Sequence, residues 1–242
     1  MIFRIIRNGV TSDWRMMLVE LVAFLGALYF AIVLHEVAHG AVALWNGDDT
    51  AKINGRLTLN PVKHIDVTGA IMMLIIGIGW AKPVPVNPYN FREYKRGMVL
   101  VALAGVVTNL ILCAVSLGLM AAVAAIYRAT MTVDTLFTFG YYILYLFLDL
   151  FMYSAVLNVS LAGFNLLPIF PLDGFRLVEI FTKPNNGYVT FMRRYGLYVY
   201  FALIGLGLLA DITGWPCDVL GMYIQAIQSG VIKLIYLIIG GA

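Results

Sequence analysis

The chain has 242 residues, of which 62% are hydrophobic and only 12% charged, with a mean hydropathy of +0.89 and a formal net charge of +3. Ordinary soluble domains carry about twice that share of charge, so the composition excludes a soluble globular protein and points to one embedded in a bilayer. The lysines and arginines are scattered, which gives no footprint for nucleic acid, and Cys113 and Cys217 form no disulfide or CxxC spacing.

The N-terminus, MIFRIIRNGVTSDWR, places arginines ahead of an apolar stretch in the manner of a signal peptide. No small-residue cleavage site precedes AIVLHEVAHG (31–40), so the stretch reads as a retained first span. Arg4, Arg7 and Arg15 then belong to an interfacial amphipathic stretch. Six apolar segments follow, at about 17–45, 67–80, 97–127, 137–166, 188–210 and 218–239. Five are long enough to cross a hydrocarbon core of about 30 Å. The segment 67–80 would reach only ~21 Å as a helix, which makes it a candidate re-entrant element.

Between the first two segments, TAKINGRLTLN (50–60) alternates and carries Asn54-Gly55, the signal for a hairpin turn. In GWAKPVPVNP (79–88), prolines 83, 85 and 88 exclude a regular helix and favour extended chain. The expected fold is an all-α polytopic membrane protein: about five full transmembrane helices, a re-entrant element and a small β-hairpin. It forms a single membrane-embedded domain over 1–242, with a catalytic core at about 17–180 and C-terminal helices at 188–239.

His35-Glu36-Val37-Ala38-His39 is an HExxH motif. On a helix, positions i and i+4 share a face, so both imidazoles can reach one Zn²⁺. Glu36 projects beside them, where it can take a proton from a water activated by the metal. An ionisable residue at the bilayer centre costs about 2.5–3.5 kcal/mol. Three within five residues therefore need a strong compensating interaction, and a metal supplies one.

A catalytic zinc commonly takes three protein ligands and a water. The chain has only three histidines, so the third ligand is His64 or a carboxylate, with Glu20, Asp149 and Asp173 lying in apolar sequence. Asp173 sits in FNLLPIFPLDG (164–174), where Pro168 and Pro171 break the fourth long segment. Irregular backbone at membrane depth survives where it is buried in protein or lines a wet cavity, which is where a ligand belongs. Asp149 lies in unbroken helix and is expected to pair internally; Glu20 lies near a helix start, close to the interface. His64 reads as structural.

Topology adds a check. His35, His39 and Asp173 can share a metal only if 67–80 dips into the membrane and returns, because a full crossing would put them on opposite sides. The loops 46–97 and 167–194 then share a side, with seven basic against four acidic residues and four against two, as the positive-inside rule prefers for a cytoplasmic face, whereas Arg4, Arg7 and Arg15 fall on the other side. Six full crossings with both termini inside fit the charges better but forbid the shared metal, and the metal geometry is the stronger constraint.

HEVAHG in a first span, GRLTLNPVKHID (55–66), GWAKPVPVNP and NLLPIFPLDG, in that order, resemble the site-2 protease family of intramembrane zinc metalloproteases, peptidase family M50, in its compact form without PDZ or CBS domains. The resemblance covers about residues 25–180. It implies one zinc per chain held by His35, His39 and Asp173, with Glu36 as catalytic glutamate and Asn165 near the substrate carbonyl. It implies cleavage of membrane-protein substrate helices or signal-peptide remnants near the cytoplasmic face of a prokaryotic plasma membrane. The stretch AGVVTN (104–109) keeps Gly105 and Asn109 of a family Gly-Pro-x-x-Asn pattern but lacks its proline. Two rival readings are a membrane metal transporter and an inactive relative that binds membrane helices. Paired broken helices in the two halves, as a transporter would show, are missing from the sequence. Glu36 would have no task in a transporter, and all the chemical groups for hydrolysis are present.

Overall fold

In a bilayer the backbone must satisfy its own N–H and C=O groups, and across its five long apolar spans this chain does so by being helical. The computed structural model describes residues 14–64, 66–69, 81–183 and 185–240. In chain order its helices are α1 (Trp14–Trp45), α2 (Thr50–Ile53), α3 (Pro61–His64), α4 (Tyr94–Thr130), α5 (Phe139–Asn165), α6 (Asp173–Phe181), α7 (Gly187–Thr213) and α8 (Val219–Gly240). Five of these, α1, α4, α5, α7 and α8, have the length and hydropathy to cross a membrane. The protein is therefore a multi-pass membrane protein, with the five long spans close to their expected bounds. Exposed Trp14 and Trp45 stand at the two ends of α1, the positions of an aromatic belt.

α1, α4 and α5 pack on one another and form the centre of the bundle. Lipid is as apolar as leucine, so helices associate in it through close backbone approach. The buried positions are accordingly small: Ala23, Ala27 and Ala31 on α1, Ala102, Ala104 and Gly105 on α4, Ala155 and Ala162 on α5. Leu18, Val22 and Leu25 on α1 and Leu110, Ile111 and Val115 on α4 face outward. α8 lies against α5 and α4, and α7 against α8. There the Tyr223 hydroxyl donates to the Gly163 carbonyl at 3.1 Å.

The start of α4 is tied to the end of α1, where the Arg92 N–H donates to the Asn46 carbonyl at 2.9 Å. The chain between them thus returns to the side it left. Residues 1–13 and 70–80 lie outside the described residues, and with them the retained N-terminal stretch and most of the expected re-entrant element at 67–80.

The expected β-hairpin at 50–60 is not present, and no β-strand occurs among the described residues. Thr50–Ile53 is a helical turn instead. Asn54-Gly55 ends it: Gly55 adopts φ +62°, Gly55 N–H donates to Lys52 O and Arg56 N–H to Ala51 O. These are the paired bonds of a Schellman C-cap. A glycine at positive φ serves a helix end as readily as a hairpin, and the local sequence does not distinguish the two.

Asp48, fully buried after α1, fastens this region. Its Oδ1 accepts from Thr50 N–H (3.1 Å), Thr50 Oγ1 (2.5 Å) and Asn90 Nδ2 (2.9 Å), and its Oδ2 from Asn87 N–H (2.7 Å). Burial pushes the carboxyl upward, but the bonds from Thr50, Asn87 and Asn90 outweigh it and hold the group below the ordinary carboxylate value. Asp48→Ala leaves these donors unsatisfied and is expected to cost about 2–3 kcal/mol, read as a lower thermal unfolding midpoint in detergent at pH 7. Because the folded-state value is depressed, the contribution is complete above the unfolded value near about 3.9 and is lost as pH falls through the folded one. Wild type and variant should converge in stability only below about pH 4.

Candidate metal centre

The i, i+4 spacing of α1 puts the His35 and His39 rings on one face, edge to face with centroids 4.7 Å apart. The break after α5 brings Asp173, the first residue of α6, against them. Its Oδ2 lies 3.3 Å from His35 Nε2 and 3.1 Å from His39 Nε2, and the two Nε2 atoms are 3.0 Å apart. All three side chains are buried, and they form the only group of three candidate ligands among the described residues. A carboxylate at the start of a helix is also favoured by the helix dipole.

The hydrogen bonds behind the rings decide what faces the centre. His39 Nδ1 is 2.7 Å from the Val101 carbonyl, which can only accept, so Nδ1 carries a proton and in the neutral ring Nε2 presents a lone pair. His35 Nδ1 is 2.5 Å from Asn109 Oδ1. The Asn109 amide nitrogen is committed to Asn158 Oδ1 at 2.7 Å, and the Asn158 nitrogen donates to the Ser154 carbonyl at 2.8 Å. Each amide therefore has a fixed direction, His35 Nδ1 is a donor, and its Nε2 is a lone pair too. Asp173 Oδ2 is buried and receives no hydrogen bond among the described residues.

Three ligand atoms thus converge among buried side chains. Two imidazoles and one carboxylate match the protein ligands of a catalytic zinc, and the bonds behind the imidazoles are the outer support such ligands commonly need. Space is made by glycines. A Cβ on Gly105 would lie 2.3 Å from His35 Cε1, and one on Gly174 would lie 2.2 Å from the Leu166 carbonyl oxygen. Gly105 admits the imidazole, and Gly174 lets α6 settle on the end of α5.

Glu36 is half-buried beside the ligands, and its Oε2 accepts from the Val84 N–H at 3.0 Å. Asn165, the last residue of α5, returns its Nδ2 to the Leu161 carbonyl at 3.0 Å. His64 is buried apart from the group, with Nε2 2.7 Å from the Thr58 carbonyl. Asp149 and Glu20 also lie outside it, and Asp149 Oδ2 has no hydrogen-bond partner among the described residues. Sequence reasoning passed over Asn158 and Ser154. Their i, i+4 polar spacing inside an apolar span carries the same signal that singled out His35 and His39.

Comparison with known proteins agrees with this geometry. Peptidase family M50 matches residues 23–206, from within α1 to within α7. A Bacillus subtilis (strain 168) protein described as "Putative zinc metalloprotease YwhC" is 39% identical over 191 residues, covering 78% of this chain and 82% of that relative. No solved structure matches. With the family spanning three quarters of the chain and a zinc-ready donor set buried among apolar helices, the chain belongs to peptidase family M50 and is an intramembrane zinc metalloprotease.

Proposed function

We propose that the enzyme hydrolyses peptide bonds in or beside membrane-spanning segments, either helices of other membrane proteins or signal-peptide remnants. In this reading His35, His39 and Asp173 hold one zinc, Glu36 is the general base and Asn165 stabilises the oxyanion. The observation that carries it is the convergence of three ligand atoms among helices long enough to span a bilayer, with Glu36 adjacent. Zinc, when bound, supplies Lewis acidity to the scissile carbonyl and to the attacking water.

Glu36 takes the proton of the attacking water on its carboxylate and passes it to the leaving amide nitrogen. Asn165 donates from Nδ2 to the developing oxyanion, for which it must leave the Leu161 carbonyl it bonds at rest. It lies next to Leu166, whose carbonyl packs on Gly174 beside Asp173. A helical substrate has its peptide groups satisfied internally and must be unwound before attack. With the hairpin absent, the proline-spaced stretch 81–87 is the extended edge left for main-chain pairing with an unwound substrate. The loops around the site, 46–97 and 167–194, carry the basic excess, which supports a cell-membrane protein with its active site facing the cytoplasm.

Purified protein should carry near one zinc per chain, and His35→Ala and Asp173→Ala should each lose it. Gly105→Ala should lose zinc as well, because its Cβ displaces the His35 ring. Metal analysis after desalting without chelator decides all three, and zinc retained in Asp173→Ala would remove that residue from the ligand set. Glu36→Gln should keep zinc while cleavage of a synthetic leucine-rich transmembrane peptide with a Gly-Pro break falls about 10²–10⁴-fold. Asn165→Ala should lower kcat on the same peptide by about 10²–10³-fold, with zinc retained.

A further inference from the structure

Arg56 is a buried cation whose bonded partners are carbonyls rather than a carboxylate. It is 6% exposed, and its Nη2 donates to the Lys82 and Pro83 carbonyls, each at 2.6 Å. No acidic group forms an ion pair with it among the described residues. Burying a guanidinium costs free energy unless its bonds matter, so the two carbonyls need a reason to be held.

That reason lies one residue further along. Val84 sits between Pro83 and Pro85, so its N–H is the only backbone donor of the three residues. It donates to Glu36 Oε2 at 3.0 Å. The strap is fixed on either side of this point: Lys82 N–H donates to the His64 carbonyl at 2.8 Å, and Asn87 N–H to Asp48 Oδ2 at 2.7 Å. Beneath it lies Gly40 of α1, where a Cβ would meet Val84 Cγ1 at 3.0 Å. Arg56 is itself fixed by the C-cap of α2, through its N–H on the Ala51 carbonyl. With Oε2 committed to Val84, the Glu36 side chain is restrained to one orientation. Its Oε1 accepts no other bond among the described residues and is left for proton transfer.

We propose that Arg56 is a positioning residue for Glu36, acting through the Lys82 and Pro83 carbonyls and the Val84 N–H. The proposal rests on Glu36 being the general base, and it assigns the strap 81–87 a task in catalysis besides any pairing with substrate. A lysine ammonium can reach both carbonyls as the single Nη2 does, so Arg56→Lys should keep the linkage that Arg56→Ala breaks.

Two measurements on the full-length protein in detergent micelles test it. In hydrogen exchange the peptide covering 81–88 reports few amides, because three of its residues are prolines. Arg56→Ala and Glu36→Ala should each speed exchange at Val84 by about tenfold while α4 and α5 keep wild-type protection, and Arg56→Lys should keep it at the wild-type rate. With the broken transmembrane peptide as substrate, Arg56→Ala should lower kcat about ten- to a hundredfold, leave KM within about twofold, keep zinc, and be rescued by Arg56→Lys. Added to Glu36→Gln, it should lower the residual rate no further. Unchanged Val84 exchange in Arg56→Ala, loosening spread over the whole bundle, or a full further loss on top of Glu36→Gln would each overturn the proposal. A zinc-loaded wild type that cuts nothing would overturn the protease reading instead, and the exchange data would still decide the linkage.

Discussion

Two imidazoles and a carboxylate inside an apolar bundle are tolerable only if every nitrogen and oxygen is matched, and this requirement organises the molecule. The Nδ1 protons go to Val101 and Asn109, which turns the remaining lone pairs toward Asp173. Asn109 in turn needs Asn158, and Asn158 needs Ser154, so a polar chain crosses from α4 to α5 within the three-helix centre. Half-made, such a chain would be worse than an apolar core. Complete, it fixes the tautomers and aims the ligands. The donor set suited to a cation is therefore implied by the bonds behind the imidazoles.

Close approach of helices is the second condition, and the same small residues meet it and build the site. Gly105 is a contact residue between α1 and α4, and it is also the space the His35 ring fills. Gly174 lets α6 rest on the Leu166 and Leu167 carbonyls just past α5, which delivers Asp173 to the centre. In a membrane, packing of backbones replaces the hydrophobic force, so the holes left by glycine are the natural places to seat a functional side chain. The periphery is built differently. α7 has little of its surface buried in the bundle, although the Tyr188 hydroxyl reaches the Pro168 carbonyl and Arg193 pairs with Glu179 of α6 at 2.6 Å.

The polar loops at the site end are held as tightly as the spans. Asp48 and Arg56, one acid and one base, are both buried, and their bonds are mainly to backbone groups and short polar side chains rather than to each other. Prolines strip the strap 81–88 of donors, so its carbonyls and few N–H groups need side chains to complete them. This holds the strap over Gly40 and Glu36 and ties it to α1 through the Val84 N–H.

By itself the sequence determined the membrane class, the five long spans, the HExxH pair and the break that frees Asp173, because each rests on local chemistry: apolar run length, i, i+4 spacing, proline and glycine. It carried Asn109 only as a family residue and left Asn158 and Arg56 unmarked, since their partners lie 49 and 26 residues away in the chain. Asn54-Gly55 was legible as a turn but not as a helix cap, because the same positive φ serves both. Only the tertiary structure decided that the two imidazole Nε2 atoms meet one Asp173 carboxylate oxygen and that Val84 bonds Glu36. Those outcomes depend on which distant backbone groups meet, and packing alone sets that.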